Sequence, residues 1–224
     1  MSEPQRLPIV DPVEPAGLGR RDVLQRMIGA VGAAVSLPGL AAGHPMHQHL
    51  SNPSKVGDAD AKARAAKFKP EFLDDHQYAS LTSLAERIVP GATKARVAQF
   101  LDALLAVDSA QSQRGFLQAL GAFDGHAIAK FSKAWKGLMP AQQTELLDEA
   151  STMPSGRPQR AGARGVAEPA TGGTRISLRD HFDTLKGWIS GAYFSSEIGM
   201  RELGFTGNMF YTEFPGCKHE GGHA

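Results

Sequence analysis

The sequence predicts an all-α protein, with one small domain of about five helices and an irregular carboxy-terminal tail. Two observations predict this class. Apolar residues recur at three- and four-residue steps in several segments, which is the period of an α-helix. No alternating apolar and polar pattern of strand length occurs in the 224 residues. Apolar residues make up 42% of the chain and charged residues 21%, which is enough to form a packed core.

Five segments carry the helical period, and each has a recognisable boundary. They run from Pro70 to Pro90, from Val97 to Val107, from Gly115 to Trp135, onward from Pro140, and onward from Ser177. Proline suits the first turn of a helix, because its missing N–H would have no partner there. A serine before a helix accepts a hydrogen bond from one of the free N–H groups at its start.

Two internal segments lack the period. Residues 42–69 are polar and small, and they predict a linker. In residues 154–174, eight of the 21 positions are Gly or Pro, which predicts a flexible surface loop. The helical domain is therefore expected over residues 70–219, followed by a short tail over residues 220–224.

The overall charge and the cysteine content exclude several classes of protein. The formal net charge is +1, whereas nucleic-acid-binding domains usually carry a strong basic excess. The chain contains one cysteine, which excludes an internal disulfide, a Cys-x-x-Cys redox site and a zinc knuckle.

The amino terminus has the order of regions found in an export signal. Arg20 and Arg21 follow a polar leader and precede a 14-residue apolar run over residues 27–40. That run is too short to span a bilayer, which takes about 20 residues. It is apolar on all sides, which disfavours an amphipathic first helix. Residues 1–41 therefore predict a twin-arginine signal peptide and a periplasmic location.

The carboxy-terminal segment is rich in aromatic residues and punctuated by glycines. Such a segment either wraps its own domain or packs on a partner, because exposed apolar surface of that extent is unfavourable in a monomer. We expect a partner interface formed by Tyr193, Phe194, Phe205, Phe210, Tyr211 and Phe214.

Four stretches together resemble the gluconate 2-dehydrogenase subunit 3 family. They are residues 84–90, residues 97–102, residues 191–207 and the Phe-Pro-Gly-Cys sequence at residues 214–217. The export signal agrees with them, and the resemblance covers most of residues 70–219.

The resemblance implies a non-catalytic small subunit of a periplasmic sugar or glycoside dehydrogenase complex. It implies that this chain assists the folding, twin-arginine export and stability of a large flavoprotein of the glucose–methanol–choline type. FAD is expected in that large subunit and no cofactor in this chain. A cytochrome c subunit is a further partner that such a complex can include. Membrane association would arise only through the complex.

The residues themselves offer no recognisable catalytic centre. No Gly-x-Gly-x-x-Gly fingerprint or Gly-x-Ser-x-Gly elbow occurs in the sequence. The acid–base candidates within the predicted helices are His76, His126 and His181, each expected to be capped or solvated.

Two histidine-rich ends leave an alternative function open. His44, Met46, His47 and His49 could bind a metal ion but are expected to lie in a solvated linker. The alternative is an independent exported metal-binding or carrier protein that uses these ends. Cys217 has three possible fates: a disulfide to the large subunit, a thiol buried under that subunit, or a metal ligand together with His219.

Overall fold

The computed structural model describes His49, residues 52–156 and residues 176–204. Within these residues the chain forms seven α-helices and one 3₁₀ turn, without a strand, so the predicted all-α class is confirmed. The elements are α1 Pro53–Ala63, α2 Asp75–Ile88, α3 Val97–Ala106, α4 Ala110–Phe131, the 3₁₀ turn Trp135–Gly137, α5 Pro140–Thr152, α6 Leu178–Phe194 and α7 Glu197–Glu202.

Helix α3 lies at the centre of the domain and is almost entirely buried. Helices α1, α2 and α6 pack against it, α4 and α5 pack on α6, and the short α7 packs on the end of α6. The largest buried side chains of the core are Phe100, Phe116, Phe123, Trp135 and Tyr193. Phe116 meets Trp188 edge to face, and Phe123 meets Trp135 in the same way, which is the arrangement that aromatic rings prefer.

The linker predicted over residues 42–69 is wrong for the segment that forms α1. Val56, Ala59 and Ala63 form the buried face of this helix and are spaced at the helical period. Asp60 is also buried and forms an ion pair with Arg64. Pro53 occupies the first turn, where proline is favoured. Alanine contributes little to an apolar pattern, which is why the helix was missed.

Two boundaries differ from those predicted for the third helix. Helix α4 begins at Ala110 because Ser109 caps it, its side chain accepting a hydrogen bond from the Ser112 N–H at 3.2 Å. It ends at Phe131, where Ser132 takes a left-handed conformation with φ of 55°. The predicted extension to Trp135 is therefore a separate 3₁₀ turn.

Two buried aspartates hold irregular segments against the helices. The Asp102 carboxylate accepts hydrogen bonds from the backbone N–H groups of Glu71, Phe72 and Leu73 at 2.7, 3.2 and 2.8 Å. These bonds fix the irregular segment that leads into α2. Asp180 does the same near the start of α6, accepting from Ser155 and from the Gly156 N–H.

No described helix is long and apolar enough to cross a membrane. Most of the loop predicted over residues 154–174 lies outside the described residues.

Candidate partner-docking site

One corner of the domain brings together segments that are distant in sequence. It consists of residues 86–97, which join α2 to α3, and residues 193–204, which include the end of α6 and all of α7. Most of the stretches singled out in the sequence meet here. We call this region the α2–α6 corner.

The connection between α2 and α3 is a tight turn held by Glu86. Its carboxylate accepts hydrogen bonds from the backbone N–H groups of Gly91 and Thr93, both at 2.8 Å. These bonds lower the pKa of Glu86 below its ordinary value. Gly91 has φ of +92°, a conformation that glycine adopts without steric cost.

Tyr193 packs directly against this turn. A Cβ atom at Gly91 would lie 3.2 Å from the Tyr193 hydroxyl oxygen, so the ring and the turn are in close contact. Tyr193 is only 1% exposed, and burial raises the pKa of its hydroxyl to about 12. The nearby Glu202 carboxylate contributes to the same increase.

The link between α6 and α7 is equally compact. The Ser196 hydroxyl donates to the Tyr193 carbonyl at 2.6 Å and accepts from the Gly199 N–H at 3.1 Å. The Ser195 hydroxyl donates to the Ala192 carbonyl at 3.0 Å. Both serines are buried with their hydroxyls occupied by backbone groups. Their geometry fits a structural corner and not a nucleophile.

A pocket of about 340 Å³ opens beside this link. Its lining includes three basic side chains, Arg64, Lys94 and Arg96, and three residues from the start of α7, Ser196, Glu197 and Ile198. We call it the basic pocket. Sequence reasoning missed it, because its walls come from segments about 30 and 100 residues apart. Lys94 and Arg96, which follow the end of α2 in sequence, were the only local indication of this pocket.

The corner also carries exposed apolar side chains. Phe194 is 39% exposed at the end of α6, and Leu203 is 65% exposed at the end of α7. Large apolar side chains near a polar rim are typical of protein–protein interfaces. This surface leads directly to the aromatic-rich tail that begins at Phe205.

Of the predicted interface residues, the structure describes Tyr193 and Phe194, and these two differ in exposure. Phe194 is exposed and available to a partner. Tyr193 is covered by its own chain, so its contribution is to the shape of the corner. Arg20, Arg21 and Cys217 lie outside the described residues, and so do Phe205, Phe210, Tyr211 and Phe214. Their roles stay predictions.

The acid–base candidates on the helices have structural partners. The His76 Nε2 lies 2.7 Å from Asp124 Oδ2, while the other oxygen of Asp124 accepts the Trp135 N–H at 2.8 Å. The His126 Nε2 lies 3.2 Å from Glu149. Neither ring lines the basic pocket.

The prediction that His49 lies in a solvated linker is wrong. It is 5% exposed, its ring lies 5.7 Å from that of Trp188, and its Nε2 lies 3.4 Å from an oxygen of Asp108. Burial lowers the pKa of His49, although Asp108 acts in the opposite direction. No cluster of three or more metal-ligating side chains occurs in the described ranges. His44, Met46 and His47 lie outside them, as do Cys217 and His219.

Comparison with known families gives one match. The model of the family described as gluconate 2-dehydrogenase subunit 3 matches residues 75–216. The match begins at the first residue of α2 and includes the whole α2–α6 corner. Comparisons with curated proteins and with solved structures gave no significant match. Because the family model covers more than half of the chain, this protein belongs to the gluconate 2-dehydrogenase subunit 3 family.

Proposed function

We propose that this chain is the non-catalytic small subunit of a periplasmic, FAD-dependent sugar or glycoside dehydrogenase. Membership of the family makes it an accessory subunit of a dehydrogenase complex. The proposal adds that its partner is a large flavoprotein of the glucose–methanol–choline type. It also adds that this chain assists the folding, export and stability of that partner.

The observation that carries the proposal is the family match over residues 75–216. The helical domain supports a binding role, because it presents an apolar and basic corner. The hydroxyls of Ser195 and Ser196 and the ring of His76 are engaged in structural contacts. The paired Arg20 and Arg21 support an export role. Twin-arginine export carries folded proteins, and a partner that acquires FAD in the cytoplasm would require that route.

The export role is tested by changing Arg20 and Arg21 to Lys in a strain that expresses both subunits. We expect both subunits and the dehydrogenase activity to remain in the cytoplasm, because one signal carries the assembled pair. Arg26→Lys in the same leader is the matched control and should leave export normal. Periplasmic activity at the normal level in the double variant would contradict the export role.

A cytochrome c subunit and peripheral association with the inner membrane belong to the same proposal. Both would arise through the complex.

A further inference from the structure

We propose that the basic pocket receives a carboxylate side chain of the large subunit and so fixes the orientation of the two subunits. This inference rests on the proposed function, because it assigns a chemical feature to the same partner.

Two cations in the pocket are not compensated by carboxylates. Arg64 pairs with Asp60 at 3.0 Å, and Glu197 pairs with Arg201 at 2.7 Å. Neither Lys94 nor Arg96 forms an ion pair with a carboxylate in the part of the chain that the structure describes. The pocket therefore has a local positive potential, which favours an anionic group.

The backbone that bears these cations is held in place before any partner binds. The N–H groups of Gly91 and Thr93 donate hydrogen bonds to the Glu86 carboxylate, and these bonds fix the turn that leads to Lys94. Arg96 stands at the start of α3 with φ of 54°, and its Nη1 donates to the Ala63 carbonyl at 3.2 Å. Pre-organised groups lose less conformational entropy on binding, which favours affinity.

A group that binds in the basic pocket must supply hydrogen-bond acceptors. The Ser196 hydroxyl is already bonded to the Tyr193 carbonyl and the Gly199 N–H, so it is not available to a partner. Within the described ranges, the ammonium of Lys94 and the remaining N–H groups of Arg96 are available as donors. A carboxylate satisfies both, since hydrogen bonds between ionised groups are the strong ones.

The size and position of the pocket favour a side chain from a partner. A volume of about 340 Å³ is many times what one water molecule needs. Ile198 supplies an apolar wall for the stem of a side chain. Exposed Phe194 and Leu203 lie in the same corner, so an inserted carboxylate would be continuous with an apolar contact. A charged group beside such a contact sets orientation and association rate.

The test uses the full mature chain and its large subunit, with the dissociation constant and the association rate measured at low and high salt. Lys94→Glu is expected to weaken binding about tenfold at low salt, mainly by slowing association, and to reduce the salt dependence. Lys133→Glu is the matched control, because Lys133 is exposed and lies outside the pocket. It should change the dissociation constant less than twofold.

Arg96→Gln provides a second variant that retains a hydrogen-bond donor but loses the charge. Circular dichroism of each variant confirms that the helices remain. Equal weakening by Lys94→Glu and Lys133→Glu would overturn the proposal, because only bulk charge would then matter.

Three further outcomes are distinguishable. If the unaltered chain binds the large subunit and Lys94→Glu binds equally well, the pocket proposal is wrong and the proposed function stands. If the unaltered chain binds no large subunit, both are wrong. Inorganic phosphate is the probe for a free ligand. Thermal stabilisation by phosphate that Lys94→Glu abolishes, with unchanged subunit binding, would make this a small-anion site and overturn the proposal.

Discussion

At the scale of single residues, the α2–α6 corner depends on the absence of a side chain at Gly199. A Cβ atom there would lie 2.4 Å from the Tyr193 carbonyl oxygen and 2.9 Å from the Phe194 Cα. Both are backbone atoms, which cannot rotate away as the end of a long side chain can. Gly199 thus allows α7 to cross the end of α6 in direct contact.

We expect Gly199→Ala to lower the free energy of unfolding by about 1–3 kcal/mol, the usual cost of overpacking. Urea denaturation measures the change. Gly121→Ala is the matched control, because this glycine lies inside α4 with no atom within 4 Å of an added Cβ. The control should raise stability by roughly 0.5–1 kcal/mol, as alanine favours a helix interior. Equal effects of both substitutions would contradict the close contact.

His49 gives the domain a pH dependence in the mildly acidic range. Its pKa is lowered from the ordinary 6.5, first by burial, with Asp108 opposing and Lys55 adding to the decrease. The folded state therefore holds the neutral ring, while the unfolded chain takes up a proton below about pH 6.5. The stability from His49 is full above that pH and is lost as the pH falls through its folded pKa.

The corresponding prediction compares the free energy of unfolding at pH 7.5 and at pH 5.5. The unaltered chain should lose more stability between these values than His49→Gln, which has a neutral side chain at both. Unfolding by urea at each pH gives the four values needed. The same pH dependence in both proteins would show that His49 is not held neutral in the core.

At the scale of elements, the boundaries that sequence predicts well are those fixed by local chemistry. Helix α2 ends before Pro90, α5 begins at Pro140, and α6 follows the capping residue Ser177, whose hydroxyl accepts the Asp180 N–H. Helix α1 was missed because alanine makes its buried face. The short α7 was missed because six residues are too few for a period to appear.

The basic pocket could not be predicted from local pattern in the same way. Arg64, Arg96 and Ser196 meet only because α1, α3 and α7 pack together. An isolated basic residue is usually solvated. The sequence around Arg64 and Arg96 therefore does not distinguish them from ordinary surface residues. The burial of Tyr193 could not be predicted from local pattern either, because its contact with Gly91 joins residues about 100 positions apart.

The tail is the element on which the proposed interface depends most. Truncation after Gly204 removes Phe205, Phe210, Tyr211 and Phe214 but leaves α7 intact. We expect the truncated chain to keep its helical circular dichroism and to lose co-purification with the large subunit, because buried aromatic residues dominate interface energies. Co-purification at full strength would mean that the tail packs on its own domain.

Cys217→Ser is the matched control for the truncation. It should keep the subunits associated, while removing the band at the summed mass that a disulfide would give in non-reducing electrophoresis. Samples whose thiols are blocked before denaturation exclude bonds formed afterwards. Two separate bands from the unaltered complex would rule out the disulfide and leave the buried thiol and the metal ligand.

At the scale of the whole molecule, the described domain has the features of an accessory subunit. Its polar groups mostly stabilise turns and helix ends, as Asp102 and Glu86 illustrate. Two exposed apolar side chains, Phe194 and Leu203, lie in the α2–α6 corner together with the basic pocket. The proposed complex places the chemistry in the partner and the binding, folding and export functions in this chain.

The most direct test is affinity purification of the full tagged chain from the cells in which it is naturally expressed. We expect a stable complex with a large subunit that contains FAD and oxidises a sugar or glycoside. A stable monomer that copurifies with copper or zinc and with no flavoprotein would contradict it, and would support the exported metal-binding protein instead.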